Sequence, residues 1–484
     1  MNPSRYLAIA ALFGLSAQAQ ITHPNPFRHV IVIVQENRTP DNLFQSLLTW
    51  PGINPQNYDI ASSGKNSKGQ TIPLTAEPLG VNYDLSHAHS AFVDMYDNGK
   101  MDGADEIQCT PFAGTKCPQT PQFMYVDNST HTIDSYLTLA AQYGWANYMF
   151  QTNQGPSYPS HQFLFGGTSA PSAAEDAVGI YYAENPGASK GAKYSTFSDV
   201  GCLAPIGEFN DLIEPGGNET VVTNAGGTFC FSRPTMASLL DASGLSWKYY
   251  AQTQTTNPGG SNPGGSIWTA PNSIQEICIP NANYTQCTGQ EWANNVDLNP
   301  ADVLTDIGAC KLPDVSWVTP DGKNSDHPGS ATATGGPAWV ASVVNAIGGD
   351  SVCDSAGYWN DTAILIVWDD WGGWYDHEPP TILPGRLGDY QYGFRVPLVV
   401  VSAYTPPAYV NNDRLDFGSM LRFIQGVFNI PEGSLGFADA RADNDLASFF
   451  NFRQPPRQFQ TIPAAVDADF FIHDKRPPEP PDND

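Results

Sequence analysis

HVIVIVQEN (29–37) and AILIVWDD (363–370) follow one pattern: an apolar run with no polar alternation that closes on carboxylate and amide oxygens. A strand that is apolar on both faces is covered on both faces, which is the reading of a buried parallel strand in an α/β sheet. VPLVVV (396–401) reads the same way and is expected to run parallel to them. Open sheets of this kind gather their chemistry at the carboxyl ends of the strands, where these polar residues stand. Helical patterns lie between the runs, at 133–143 after Thr132, at 338–347 after a Gly-Gly-Pro start, and at 419–428, which is amphipathic. Alternating strands and helices predict an α/β/α sandwich with a mostly parallel central sheet.

The rest of the chain narrows the function. Its 484 residues carry 22 Lys+Arg against 49 Asp+Glu, a formal charge of −27. A nucleic-acid or anionic-membrane binder needs a basic footprint, so no nucleic-acid partner is expected. Charged residues are only 15% while 41% are hydrophobic, which is a folded composition and not that of an acidic disordered chain. Residues of about 170–300 are rich in Gly, Asn, Pro and Cys, include NPGGSNPGGS at 257–266, and read as an insertion or cap on a body spanning 20–454. Residues 455–484 end in RPPEPPDND and read as an extended tail.

Residues 1–19 combine Arg5, a short apolar run and Ala17-Gln18-Ala19, the signature of a cleavable export signal. No run of about 18 uninterrupted apolar residues occurs, so no stable membrane anchor is expected and the product reads as secreted or periplasmic. Eight cysteines in an exported chain favour disulfides. The short spacings point to Cys109–Cys117 and Cys278–Cys287, leaving Cys202, Cys230, Cys310 and Cys353 to pair over longer distances. No C-x-x-C pair is present, which argues against a thiolate zinc site.

Three polar turns carry candidate chemistry. Glu36-Asn37 offers hard oxygen ligands for a divalent cation, or else a strand end before a helix capped by Thr39-Pro40-Asp41. Asp369-Asp370 closes an apolar strand, where two adjacent acids are costly to bury without a cation or hydrogen bonds, and the glycines of WGGWYDH permit close backbone approach. Ser157, in QGPSYPSH (154–161), sits in a Pro/Gly-constrained turn that suits a nucleophile activated by a metal, or is simply a turn. It is not the G-x-S-x-G elbow. Five of the nine histidines lie in or beside such turns: His87, His89, His161, His327 and His377. Asp84, Asp326 and Asp376 accompany them, and Asp326 is expected to face a bound cation or a histidine.

In order along the chain, HVIVIVQENRTPDNLF (29–44), DLSHAHSAFVDMYDNGKMDG (84–103), GPSYPSHQFLFGGTS (155–169), VSWVTPDGKNSDHP (315–328), AILIVWDDWGGWYDHEPP (363–380), GFRVPLVVVSAYT (393–405) and DFGSMLRFIQGVF (416–428) resemble the phosphoesterase family of bacterial phospholipases C and secreted acid phosphatases, within the alkaline phosphatase superfamily. The resemblance implies a secreted, metal-dependent phosphoester hydrolase with an alkaline-phosphatase-like fold. It implies that Glu36, Asn37, Ser157, Asp369 and Asp370 hold a divalent metal ion, that Ser157 is the nucleophile and forms a phosphoserine, and that His87 and His327 surround the phosphoryl group. The substrate class it implies is a small phosphoester or a phospholipid headgroup. Three positions depart from the family pattern: Ser160 stands where Asn is common, Trp371 where His often follows the acidic pair, and Phe417 where Asp-His is usual before the last helix.

The three departures also admit a decayed protein that binds the metal or a ligand without catalysis. A phospholipase C selective for choline lipids is the other alternative. A glycosidase needs two carboxyls on opposite sides of a sugar, which adjacent Asp369-Asp370 does not offer.

Overall fold

Every residue of His29–Gln35 and of Thr362–Trp368 is buried. Each fully buried Val or Ile contributes roughly 1.5–3 kcal/mol against the unfolded chain, so these runs can hold costly polar groups at their ends. A computed structural model, describing residues 25–187, 200–204, 206–252, 265–329, 331–355, 357–383 and 390–479, places the two strands side by side in an eight-stranded sheet. They pair in parallel from His29 opposite Thr362 to Gln35 opposite Trp368. Glu36-Asn37 and Asp369-Asp370 therefore leave the sheet together.

The strand order is Val296–Asp297, Trp247–Tyr250, Val315–Val318, His29–Gln35, Thr362–Trp368, Leu398–Val401, Gly144–Ala146 and Tyr409–Asn411. All adjacent pairs are parallel except the two made by Leu398–Val401. The run at 396–401, expected to be parallel, is thus the antiparallel strand of a mostly parallel sheet. An apolar run reports burial on both faces and carries no information about direction. Direction follows from the connection: the described residues between Trp368 and Leu398 include no crossover helix, and a parallel return requires one or an equivalent crossover. Arg395, at the amino end of this strand, consequently stands at the same edge as Asp369.

Helices cover both faces. Tyr136 of Asp134–Gln142 meets Trp368 edge-on at 5.2 Å, and Phe165 of Ser157–Gly166 meets Trp317 at 5.1 Å from the opposite face. The helix Gly336–Gly349 lies with the first group and Phe417–Val427 with the second. Asp416 caps the latter, accepting from the Ser419 amide at 2.9 Å. These are the α/β/α layers that the sequence predicts.

The stretch read as an insertion divides in two. Tyr181–Tyr182, Phe209–Ile213 and Glu219–Thr223 form a separate three-stranded sheet, whereas Trp247–Tyr250 and Val296–Asp297 extend the central one. Gly/Asn-rich composition marked the loops and hid the last two strands on one side of the sheet. The disulfides are Cys109–Cys117, Cys202–Cys230, Cys278–Cys287 and Cys310–Cys353. The tail is extended from 455, then forms the helix Ala468–Ile472, whose neighbour Trp339 receives Phe471 at 5.2 Å. The expected export signal, most of 257–266 and the last five residues lie outside the described residues.

Candidate active site

The shared register of the two central strands brings their polar ends into contact. Asn37 turns the chain with φ of 61°, a left-handed conformation that asparagine tolerates better than most residues. That turn lets its amide donate to Asp369 Oδ1 at 3.1 Å, and the Arg38 amide donates to the Asp370 carbonyl at 3.0 Å. Gly372, at φ +61°, crosses directly over Asn37, and a Cβ there would lie 2.5 Å from the Asn37 carbonyl oxygen. Glycine is thus required for the two acid-bearing turns to meet.

Ser157 enters from the opposite layer as the first residue of its helix, the end where backbone N–H groups favour developing negative charge. Its Oγ lies 3.2 Å from Glu36 Oε2 and 3.2 Å from Asp370 Oδ2. One turn later, His161 places Nε2 3.2 Å from Glu36 Oε1 and 3.7 Å from Asp369 Oδ2. His87 is fixed by its Nδ1 contact to the Leu85 carbonyl at 2.9 Å, and its Nε2 lies 3.4 Å from Asn37 Nδ2 and 4.0 Å from Asp370 Oδ2. The ring of His327 lies 6.3 Å from that of His87. Glu36, Asn37, Ser157, Asp369, Asp370, His87 and His327 are all buried in one cluster.

The electrostatics are unbalanced. Burial, then the charge of Asp369, raises the Glu36 carboxyl well above the usual range, and burial with the same neighbour does so at Asp370. Burial pushes the His161 imidazole down to about 4, partly opposed by Asp369. Among the described residues, the ionisable bases within 4.0 Å of these three carboxylates are His87 and His161, with no Lys or Arg. Asn37 Oδ1 and Asp369 Oδ2 are buried without a hydrogen-bond partner. A buried acceptor left in that state costs about 1–3 kcal/mol. Converging oxygen donors with excess negative charge and orphan lone pairs fit a divalent cation.

Other expected participants are elsewhere. Asp326 does not face the cluster: its Oδ2 accepts from Trp368 Nε1 at 3.0 Å, while Arg38 donates to its carbonyl at 2.6 Å. His89 contacts Glu219 and Gln154, and Asp376 and His377 join an ion network with Arg395. The three departures have structural accounts. Ser160 is held by Asn153 and the Pro156 carbonyl at 3.1 and 3.0 Å, Trp371 packs edge-on against Phe394 at 4.7 Å, and Phe417 is wholly buried behind the Asp416 cap. In the sequence His161 is one of five histidines beside polar turns; its spacing of four from Ser157 on a helix is the signal that places it on the same face.

The chain matches the Phosphoesterase family over residues 27–431. It belongs to that family. Phospholipase C A of Mycobacterium tuberculosis is 23% identical over 463 residues, covering 90% of this chain and 79% of the relative. The non-hemolytic phospholipase C of Pseudomonas aeruginosa is 23% identical over 504 residues, covering 96% of this chain and 63% of the relative. Non-specific phospholipase C1 of Arabidopsis thaliana is 26% identical over 155 residues, 28% of either chain. The protein is a phosphoric ester hydrolase, and the buried cluster lies within the matched span.

Proposed function

We propose that this phosphoester hydrolase is metal-dependent and uses Ser157 as its nucleophile, forming a phosphoserine that water then hydrolyses. The observation that carries the reading is the position of Ser157 Oγ, equidistant at 3.2 Å from Glu36 and Asp370. Glu36, Asn37, Ser157, Asp369 and Asp370 would hold the divalent ion, which when bound supplies charge that lowers a serine hydroxyl pKa and neutralises phosphoryl oxygens. Ser157 passes its proton to one of the two neighbouring carboxylates as Oγ bonds to phosphorus and the ester oxygen departs. His87 and His327 face the phosphoryl oxygens or protonate the leaving oxygen. Water then attacks the phosphoserine, releasing phosphate or a phosphorylated headgroup and restoring the hydroxyl.

The substrate is a small phosphoester, mono- or diester. The names of the relatives favour a second, narrower reading, a phospholipase C acting on a lipid headgroup. Comparative hydrolysis of p-nitrophenyl phosphate and p-nitrophenyl phosphocholine separates the two, and a decayed binding protein would cleave neither. Ser157→Ala should lower turnover of both by roughly 10⁴-fold or more. Acid quenching of wild type during turnover should trap one phosphoryl group on the peptide bearing Ser157. Near-normal turnover by the variant would falsify the serine mechanism. Export belongs to the same proposal: the four disulfides suit an oxidising compartment. No helix of the described residues is long and apolar enough to cross a membrane.

A further inference from the structure

The ligand set implied by resemblance consists of oxygen donors alone. The structure adds a nitrogen. His161 is wholly buried, and the atoms offered by Glu36, His161 and Asp369 all lie within 4.8 Å of one another. Donors at about 2.0–2.2 Å from a shared ion stand roughly 3–4 Å apart, the range of the 3.2 and 3.7 Å separations of Nε2 from the two carboxylates.

The other face of the imidazole fixes its proton. Nδ1 lies 3.3 Å from the Tyr249 hydroxyl, which lies 2.8 Å from the Trp268 carbonyl. A carbonyl can only accept, so the phenolic proton goes to Trp268 and the hydroxyl oxygen accepts from Nδ1–H. Nε2 is then the unprotonated nitrogen, its lone pair set against two carboxylates. Asp369 Oδ2 has no hydrogen-bond partner, so its lone pair stands against those of Nε2 and Glu36 Oε1. A cation relieves all three donors. The Tyr249 contact is also the orienting partner on the far ring nitrogen that metal-bound histidines characteristically have.

We infer that His161 is a nitrogen ligand to the cation held by Glu36 and Asp369, and that it biases the site toward a transition ion of the Zn²⁺ or Fe²⁺ class over Mg²⁺ or Ca²⁺. The inference rests on the metal reading above and narrows it. Imidazole suits the former ions, whereas an all-oxygen set suits the latter.

The test uses metal-stripped full-length protein reloaded with Mn²⁺, prepared with natural and ¹⁵N-labelled histidine, and electron–nuclear double resonance to detect directly bound nitrogen. Wild type should show a nitrogen coupling that changes with the isotope, and His161→Gln should lose it while still binding Mn²⁺. Calorimetric titration should show Zn²⁺ affinity falling in that variant by at least the roughly 10–100-fold that follows loss of a group that merely orients a ligand, with Mg²⁺ affinity little changed. The isotope comparison needs no variant, so it stands even if His161→Gln misfolds. Tyr249→Phe, which frees the tautomer, then assigns the nitrogen by weakening Zn²⁺ more than Mg²⁺. Ion binding without a histidine nitrogen, a nitrogen that survives in His161→Gln, or equal losses for Zn²⁺ and Mg²⁺ would overturn the assignment alone. Failure of wild type to take up any ion would overturn the metal reading with it.

Discussion

Two clusters at the same sheet edge have nearly the same acids and histidine but differ in charge balance. Glu36 and Asp369 flank His161, with Asp370 joined to Glu36 through Ser157; Asp41, Asp59 and Asp376 surround His377. The second contains Arg395, which binds Asp376 through Nε at 2.8 Å and through its terminal nitrogen at 3.0 Å, and reaches Asp41 and Asp59 at 3.5 and 3.4 Å. Burial alone would lower the His377 imidazole, but its bonds to Asp41 and Asp59 lift it to about 10, so that cluster holds two cations against three acids. The first cluster has a neutral histidine and no arginine. Glu36, His161 and Asp369 in the first, and Asp41, Asp376 and His377 in the second, each bring three possible metal donors within 4.8 Å of one another. Charge balance separates them: one is complete as a fixed ion network, and the other is short of positive charge.

Four measurements would break or sharpen that contrast. The largest effect is expected from Arg395→Met, which strands buried Asp376 and Asp41 and should cost roughly 3–5 kcal/mol in urea unfolding. A small loss would show that the network does not depend on its arginine. Next, a divalent ion at about 100 times its Kd should stabilise metal-stripped wild type by about 2.7 kcal/mol. Asp369→Asn should abolish most of that gain, while Arg395→Met should keep it.

A difference in sign comes third. Without metal, Asp370→Asn removes a buried acid that has hydrogen bonds but no Lys or Arg beside it and should stabilise the fold by about 1 kcal/mol, whereas Asp376→Asn breaks a bidentate pair and should destabilise it by about 3 kcal/mol. Equal signs would mean that the clusters are not distinguished by charge balance. The smallest effect is a pH dependence. A histidine whose folded pKa is raised stabilises fully below its unfolded value of about 6.5, and that contribution is lost as pH rises toward about 10. Unfolding free energy should therefore decline more over this alkaline range in wild type than in His377→Gln.

Much of the site was legible because it lies at the ends of uniform strands. Glu36-Asn37 and Asp369-Asp370 follow runs whose burial is set by composition, and strand register alone makes them neighbours. Ser157 was legible only as a constrained turn, since its meeting with the acids depends on a helix packed across the sheet face. His161 was within reach of the helical period but needed Glu36 and Asp369 to give it a role. Asp326, expected at a bound metal ion or a histidine, instead accepts from Trp368 beside the charge of Arg38, because sequence adjacency to His327 does not fix which way a neighbouring carboxylate turns.

Composition and pattern by themselves determined the layered α/β class, the buried central strands, the local disulfides and the acids at the strand ends, because each depends on a few consecutive residues meeting water or a core. Tertiary structure decided the reversed direction of Leu398–Val401, the central-sheet membership of Trp247–Tyr250, and which of two acid–histidine clusters received Arg395. Those outcomes depend on residues distant in sequence sharing one buried volume, where the position of a single guanidinium separates a self-compensated ion network from a cluster that still lacks a cation.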